Sequence, residues 1–211
     1  MKDKDIIPDC KVTLVGDSGV GKSAIIGRYI SGIFREDLVS TSGANYSQKI
    51  YKKNNQKVRL NIWDTVGQEK YRALGRNFYK DSYIICIIFD ITNKISFKNV
   101  KEIWYPEIKQ YGEKYNILSI VGNKCDLYES EEVNDEEANE FANEVGAQYF
   151  SVSAKNGNGI EDMFNTLANL YLDPKFKEKI DGEKSFRKNS IKLEKRHLEN
   201  KNTSTQKKGC C

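Results

Sequence analysis

The octapeptide Gly16-Asp17-Ser18-Gly19-Val20-Gly21-Lys22-Ser23 constrains this chain more than any other feature. It lies between an apolar, β-branched run at Lys11–Val15 and a segment of helical pattern at Lys22–Tyr29. It matches G-x-x-x-x-G-K-[ST] in the strand–turn–helix context that gives the motif its meaning. The glycines let successive backbone N–H groups turn inward around phosphate oxygens, and the helix N-terminus adds the positive end of its dipole. The cradle then runs from Asp17 to Ser23 through Ser18, Gly19, Val20 and Gly21. Lys22 would neutralise the β- and γ-phosphates, and the Ser23 hydroxyl would ligate Mg²⁺. The plain alternative is a tight turn with a chance Lys-Ser, and the flanking elements argue against it.

A phosphate loop alone chooses neither base nor reaction. Asn123-Lys124-Cys125-Asp126 follows a predicted strand at Leu118–Val121 and bears on the base. A carboxylate there accepts two hydrogen bonds from guanine N1–H and its 2-amino group. Adenine offers no such donor pair, and a buried mismatch of this kind discriminates by roughly 10⁴ or more. Lys124 would pack along the base and the phosphate loop, while Asn123 ties loops together. Ser153-Ala154-Lys155 follows the next strand and would offer the Ala154 N–H to guanine O6. Either short pattern alone is only a surface turn. Behind a phosphate loop and an apolar strand they predict a guanine site.

The rest of the chain sets this site in an α/β frame. Tyr46–Tyr51 and Val58–Asp64 read as two strands around a turn at Lys52–Lys57. Tyr83–Asp90 reads as a buried strand, Ser96–Tyr111 as a helix, Asp135–Val145 as an acidic helix and Tyr149–Val152 as a strand. In Ile160–Leu172 one helical stripe carries Ile160, Met163, Phe164, Leu167 and Leu170. Strands alternating with helices over short connections predict a mostly parallel sheet covered on both faces, with one antiparallel edge strand from the 46–64 hairpin. Pro174 closes the last helix in this reading. The expected organisation is an N-terminal extension at 1–10, a nucleotide-binding domain at 11–173 and a flexible basic tail at 174–211.

Charge is divided along the same line. Residues 1–174 carry 22 Lys+Arg against 25 Asp+Glu, whereas 175–211 carry 12 against 5. A nucleic-acid binder would show basicity on its folded part; a basic tail on a near-neutral domain suits an anionic membrane surface. The first ten residues lack the apolar segment of a signal peptide, Lys2 excludes N-myristoylation, and no apolar run is long enough to span a bilayer. The five cysteines, at 10, 86, 125, 210 and 211, show no metal-finger spacing and suit a reducing cytosol. His197 stands in the tail and is expected to be solvated.

Together the phosphate loop, N-K-x-D and S-A-K resemble those of the Ras-like small GTPases. GDSGVGKS, RLNIWDTVGQE, KYRAL and IIFDIT are similar to the Rab family within them, as is the C-terminal Cys-Cys. The resemblance runs from about Lys11 to Leu172. It implies a six-stranded, mostly parallel P-loop NTPase domain that binds GTP or GDP with Mg²⁺ and hydrolyses GTP slowly. Asp64 would reach Mg²⁺ through a water, Thr41 would supply a second hydroxyl ligand, and the Gly67 N–H would sense the γ-phosphate. Gln68 would orient the attacking water. Phe34 falls where an aromatic packs against guanine, and Tyr46, Trp63 and Phe78 match the triad that Rab-like proteins show to effectors. Cys210 and Cys211 resemble the site of two geranylgeranyl groups, enough for durable anchoring.

The resemblance also implies partners and a place. They are an exchange factor, a GTPase-activating protein, a GDP-dissociation inhibitor and effectors, engaged by a monomer that takes no nucleic acid. The protein would move between the cytosol and the cytoplasmic face of an endomembrane and regulate vesicle traffic. No arginine of the chain itself is assigned to the phosphates, so a partner's arginine finger would supply roughly 10³–10⁵-fold. Two positions depart from the family pattern. Ser42 replaces the usual Ile before Gly43, and Val66 replaces Ala between Thr65 and Gly67. They support an alternative, a nucleotide-holding scaffold with impaired switching. An ATP-using P-loop kinase is a further rival, opposed by Asp126.

Overall fold

The computed structural model describes residues 7–35, 45–65, 78–113 and 116–183. Six strands form one sheet: β1 (Asp9–Val15), β2 (Asn45–Lys53), β3 (Gln56–Asp64), β4 (Ile84–Asp90), β5 (Ile117–Asn123) and β6 (Gln148–Val152). Their order is β2-β3-β1-β4-β5-β6, with β2 antiparallel to β3 and the other pairs parallel. The six-stranded, mostly parallel sheet with one antiparallel edge strand is as expected from the sequence. β4, Ile-Ile-Cys-Ile-Ile-Phe-Asp, is buried at every residue, as a central strand covered on both faces must be. β2 alternates between exposed and half-buried residues and forms the edge. Asn54 takes the left-handed conformation of the hairpin turn at φ 52°, which asparagine tolerates.

The helices are α1 (Lys22–Ser31), α2 (Lys94–Asn99), α3 (Tyr105–Tyr111), α4 (Asp135–Glu144) and α5 (Ile160–Leu172). α1 ends at Gly32, which is left-handed at φ 70° and donates its N–H to the Arg28 carbonyl. Asn93 caps α2 by accepting from the Ile95 and Ser96 N–H groups. Asn134 caps α4 ahead of three acidic residues that suit the positive end of its dipole. The buried stripe of α5 ends on Ala168 and Tyr171, while Leu170 is only half-buried, so the expected stripe turns slightly at its end.

The helix expected over Ser96–Tyr111 is present but interrupted. Val100–Trp104 between α2 and α3 is a π-turn in which the Tyr105 N–H donates to the Val100 carbonyl. Pro106 follows at once. Proline has no N–H to give and its ring collides with the carbonyl four residues back in a regular helix, so the slip to i→i+5 bonding comes where a regular ladder fails.

On one face of the sheet Ile85, Ile87 and Phe89 pack with Phe97, Val100, Trp104, Ile108 and Phe141. The alternate residues of β4, Ile84, Cys86 and Ile88, are also fully buried. Tyr29 of α1 stacks on Phe164 of α5, with ring centroids 3.8 Å apart.

The parallel strands all end at one edge, and there the chain leaves for its chemistry. β1 runs into Gly16, β3 ends on Asp64, β4 on Asp90, β5 on Asn123, and β6 just before Ser153. Register aligns Asp90 with Asn123 and Asn123 with Val152. β1 sits between β3 and β4, where successive connections leave to opposite sides. Such a switch point opens a crevice at the strand ends.

Asp173–Cys211 forms a separate unit. Within it residues 174–183 are helical, which corrects the expectation of a flexible segment from 174 onward. Asp173 starts this helix. Its carboxylate accepts the Lys175 N–H at 2.8 Å, and its carbonyl accepts from Phe176 and Lys177. Proline suits the first helical position, because its missing N–H would have no partner there anyway. Pro174 thus ends one helix and opens another.

A candidate guanine-nucleotide site

The loop from Gly16 to Ser23 is held in shape by close neighbours and by its own lysine. Gly16 has φ 142° and lies so close to Ile88 that a Cβ would drive into its carbonyl. Gly21 has φ 95°, and a Cβ there would strike the Asn123 carboxamide. At Gly19 the space is open. Lys22, only 5% exposed, arches back over the loop and donates to the carbonyls of Gly16 at 2.9 Å and Asp17 at 2.7 Å. Burial lowers its ammonium to about 8, against the charges of Asp64 and Asp17 that favour protonation. A buried ammonium held within the loop is a charge of the kind that pairs with phosphate oxygens.

Ser23 and Asp64 meet at the foot of this loop, with the Ser23 hydroxyl donating to Asp64 Oδ2 at 2.6 Å. Thr65 anchors the end of β3 by donating to the Leu14 carbonyl at 2.7 Å. A hydroxyl and a carboxylate side by side are hard oxygen donors. They fit Mg²⁺, which takes few protein ligands and fills its octahedron with waters and phosphate oxygens. Among the described residues, no cluster of three or more His, Cys, Asp or Glu side chains competes for a metal.

Asp17 turns its carboxylate the other way. Oδ2 accepts from Asn99 Nδ2 at 2.7 Å and Oδ1 from Trp104 Nε1 at 2.8 Å.

The base side is assembled from three loops. Asn123 Nδ2 donates to the Val20 carbonyl at 2.8 Å, and its Oδ1 accepts the Ala154 N–H at 3.1 Å. The sequence places that N–H facing guanine O6; in the structure it donates to Asn123. Lys124 is left-handed at φ 70° and pairs with Asp90 at 2.5 Å. Asp90 is itself fixed by the Thr92 N–H and hydroxyl. Asp126 accepts from the Ser153 hydroxyl at 2.5 Å, which also accepts the Asn156 N–H. Arg28 joins α1 to this loop: Nε donates to the Ala154 carbonyl at 2.9 Å, and the guanidinium also reaches the carbonyls of Lys155 and Gly32. Phe34 is half-buried two residues beyond Gly32.

The three expected effector-facing aromatics come together. Tyr46 and Trp63 are register partners on β2 and β3 with centroids 5.1 Å apart, and Trp63 lies 6.5 Å from Phe78. Tyr46 is 48% exposed while Trp63 and Phe78 are half-buried. Thr41, Ser42, Val66, Gly67, Gln68, Cys210 and Cys211 lie outside the described residues. Arg28, Asp90, Asn99 and Trp104 are contributions that motif reading passed over. Asp90 stood in the quoted IIFDIT, but its partner Lys124 is distant in sequence.

The Ras family model matches residues 11–173. The chain belongs to the Ras family. Ras-related protein Rab-1 of Theileria parva is 35% identical over 173 residues, 82% of this chain and 78% of that protein. Ras-related protein Rab-31 of Rattus norvegicus is 38% identical over 170 residues, 80% of this chain and 87% of that protein. Ras-related protein Rab-26 of the same organism is 37% identical over 159 residues, 75% and 62% of the two chains. Within the Ras family it is a Rab-type small GTPase, hydrolysing GTP to GDP with the slow intrinsic rate usual there. Nothing in this kinship favours an impaired switch.

Proposed function

We propose that this Rab-type GTPase is a membrane-recruited switch that regulates vesicle traffic. The observation that carries the reading is the convergence of Lys22, the Ser23–Asp64 pair and the Asn123 bridge at one edge of the sheet. In this reading the backbone of Asp17–Ser23 and Lys22 bind the phosphates. Asp126 accepts the two guanine donors, while Lys124 and Phe34 flank the base. Ser153, Ala154 and Lys155 close the site, with the Ala154 N–H shared between Asn123 and the base. Mg²⁺, when bound, neutralises charge developing on the β- and γ-oxygens. Ser23 and Thr41 would hold it directly and Asp64 through a water.

Gln68 orients the attacking water; bound γ-phosphate holds Thr41 and Gly67, and hydrolysis releases the two loops that carry them. Effectors distinguish the GTP and GDP states of these loops at the surface of Tyr46, Trp63 and Phe78. A partner's arginine speeds the reaction, and an exchange factor and a GDP-dissociation inhibitor complete the cycle. Cys210 and Cys211 each take a prenyl group behind Lys207 and Lys208, placing a cytosolic monomer on an endomembrane. Among the described residues, no helix is long and apolar enough to cross a membrane.

Base exchange tests the reading. Xanthine carries a carbonyl where guanine carries its 2-amino group, so Asp126→Asn should turn a preference for GDP into one for xanthosine diphosphate. Equal binding of both by both proteins would contradict it.

A further inference from the structure

The π-turn and the phosphate loop meet at one carboxylate. Asn99 and Trp104 are five residues apart, which on a regular helix of 3.6 residues per turn sets them about 140° apart. Two side chains so placed point to different neighbours. The π-turn at Val100–Trp104 adds one residue to the turn, with the Tyr105 N–H reaching back to Val100. Residues i and i+5 then share a face, and both reach Asp17, one to each carboxylate oxygen, at 2.7 and 2.8 Å. Trp104 is 8% exposed and Asp17 half-buried, so the bond between them is partly shielded from water.

Asp17 is the first residue of the phosphate loop after Gly16, and its carbonyl is one of the two that hold Lys22. A carboxylate beside a phosphate site repels the ligand unless it is turned away and its charge is met elsewhere. Charge-assisted hydrogen bonds from two neutral donors do both. We propose that Asn99 and Trp104 are positioning residues for the phosphate loop, brought onto Asp17 together by the π-turn. Through them the helix from Lys94 to Tyr111 bears directly on how long nucleotide is held. The inference deepens the proposed function and rests on Gly16–Ser23 being the phosphate loop.

The test is release of a fluorescent N-methylanthraniloyl-GDP from the full chain, chased with unlabelled GDP. Trp104→Phe keeps an aromatic ring in the core and removes the donor; Asn99→Ala removes the other donor from a half-buried position. Each should speed release about tenfold, the effect of one hydrogen bond to a charged group. In an Asp17→Ala background neither substitution should change the rate further, because its acceptor is gone. A role in core packing alone gives a different pattern: Trp104→Phe would lower the melting temperature and alter release equally in both backgrounds. That pattern, or wild-type release from both single variants, overturns the inference. Should Trp104→Phe fail to fold, Asn99→Ala alone carries the same comparison. A wild-type chain that does not retain the labelled GDP would instead overturn the proposed function.

Discussion

Asn123 ties the base loop to the phosphate loop: its Nδ2 donates to the Val20 carbonyl at 2.8 Å while its Oδ1 accepts the Ala154 N–H. Gly21 lies so near that a methyl group there would strike this carboxamide. One side chain therefore links the candidate base and phosphate loops. Removing the side chain in Asn123→Ala leaves the buried Val20 carbonyl and Ala154 N–H each without the partner Asn123 supplies. The expected loss of nucleotide binding is about 2–3 kcal/mol, roughly a 30- to 150-fold faster release of GDP, measured by fluorescent-nucleotide dissociation. A change below threefold would mean that the loops hold together by other means.

Arg28 performs a similar service from the opposite side. Its planar fork meets the carbonyls of Ala154, Lys155 and Gly32 at once, and a lysine ammonium cannot reproduce that geometry. Arg28→Lys should loosen the Ser153–Lys155 loop and speed GDP release by roughly tenfold, with faster amide exchange over residues 153–157 in the same sample. Exchange unchanged there would separate Arg28 from the base loop.

Lys22 predicts a pH dependence. Burial lowers its ammonium to about 8, whereas a bound phosphate favours the charged form. Below about 8, and above the range at about 6 where a terminal phosphate itself titrates, the group already carries its charge and GDP affinity should be flat. Above it, binding must return a proton to Lys22, so affinity should fall by up to roughly tenfold per pH unit until the pKa of the complex is reached. Titration calorimetry near pH 8.5 in two buffers of different ionisation enthalpy should show proton uptake on binding. Proton release would contradict the assignment.

Asp173 caps the helix at 174–183 through the Lys175 N–H. Asp173→Ala should weaken that helix by about 1 kcal/mol, seen as faster amide exchange over 176–183 and little change in the melting of the nucleotide-binding domain. Protection equal to wild type would show that the cap contributes nothing.

Motifs and strands were legible in the sequence because their information is local. The run at Lys11–Val15 and the glycines at 16, 19 and 21 announce a strand and a phosphate loop without any tertiary knowledge. The same holds for the Asn54-Asn55 turn and for Asn123–Asp126 behind an apolar strand. What escaped depends on contacts between distant segments or on a slip of one hydrogen bond. Arg28 meets Ala154 and Lys155, Lys124 meets Asp90, and Asn99 with Trp104 meets Asp17, none of them neighbours in the chain. The π-turn keeps the helical pattern over 96–111 almost intact, and Pro106 was its one local sign. Pro174 carried two meanings, stop and start, and only the Asp173 cap separates them.

The central claim, that this site turns over GTP as a timed switch, is tested most directly by single-turnover phosphate release from GTP-loaded protein with Mg²⁺, beside Gln68→Leu. The account predicts slow release that the substitution abolishes. Stable GTP binding with no release from the wild-type chain, or equal release from both proteins, would contradict it.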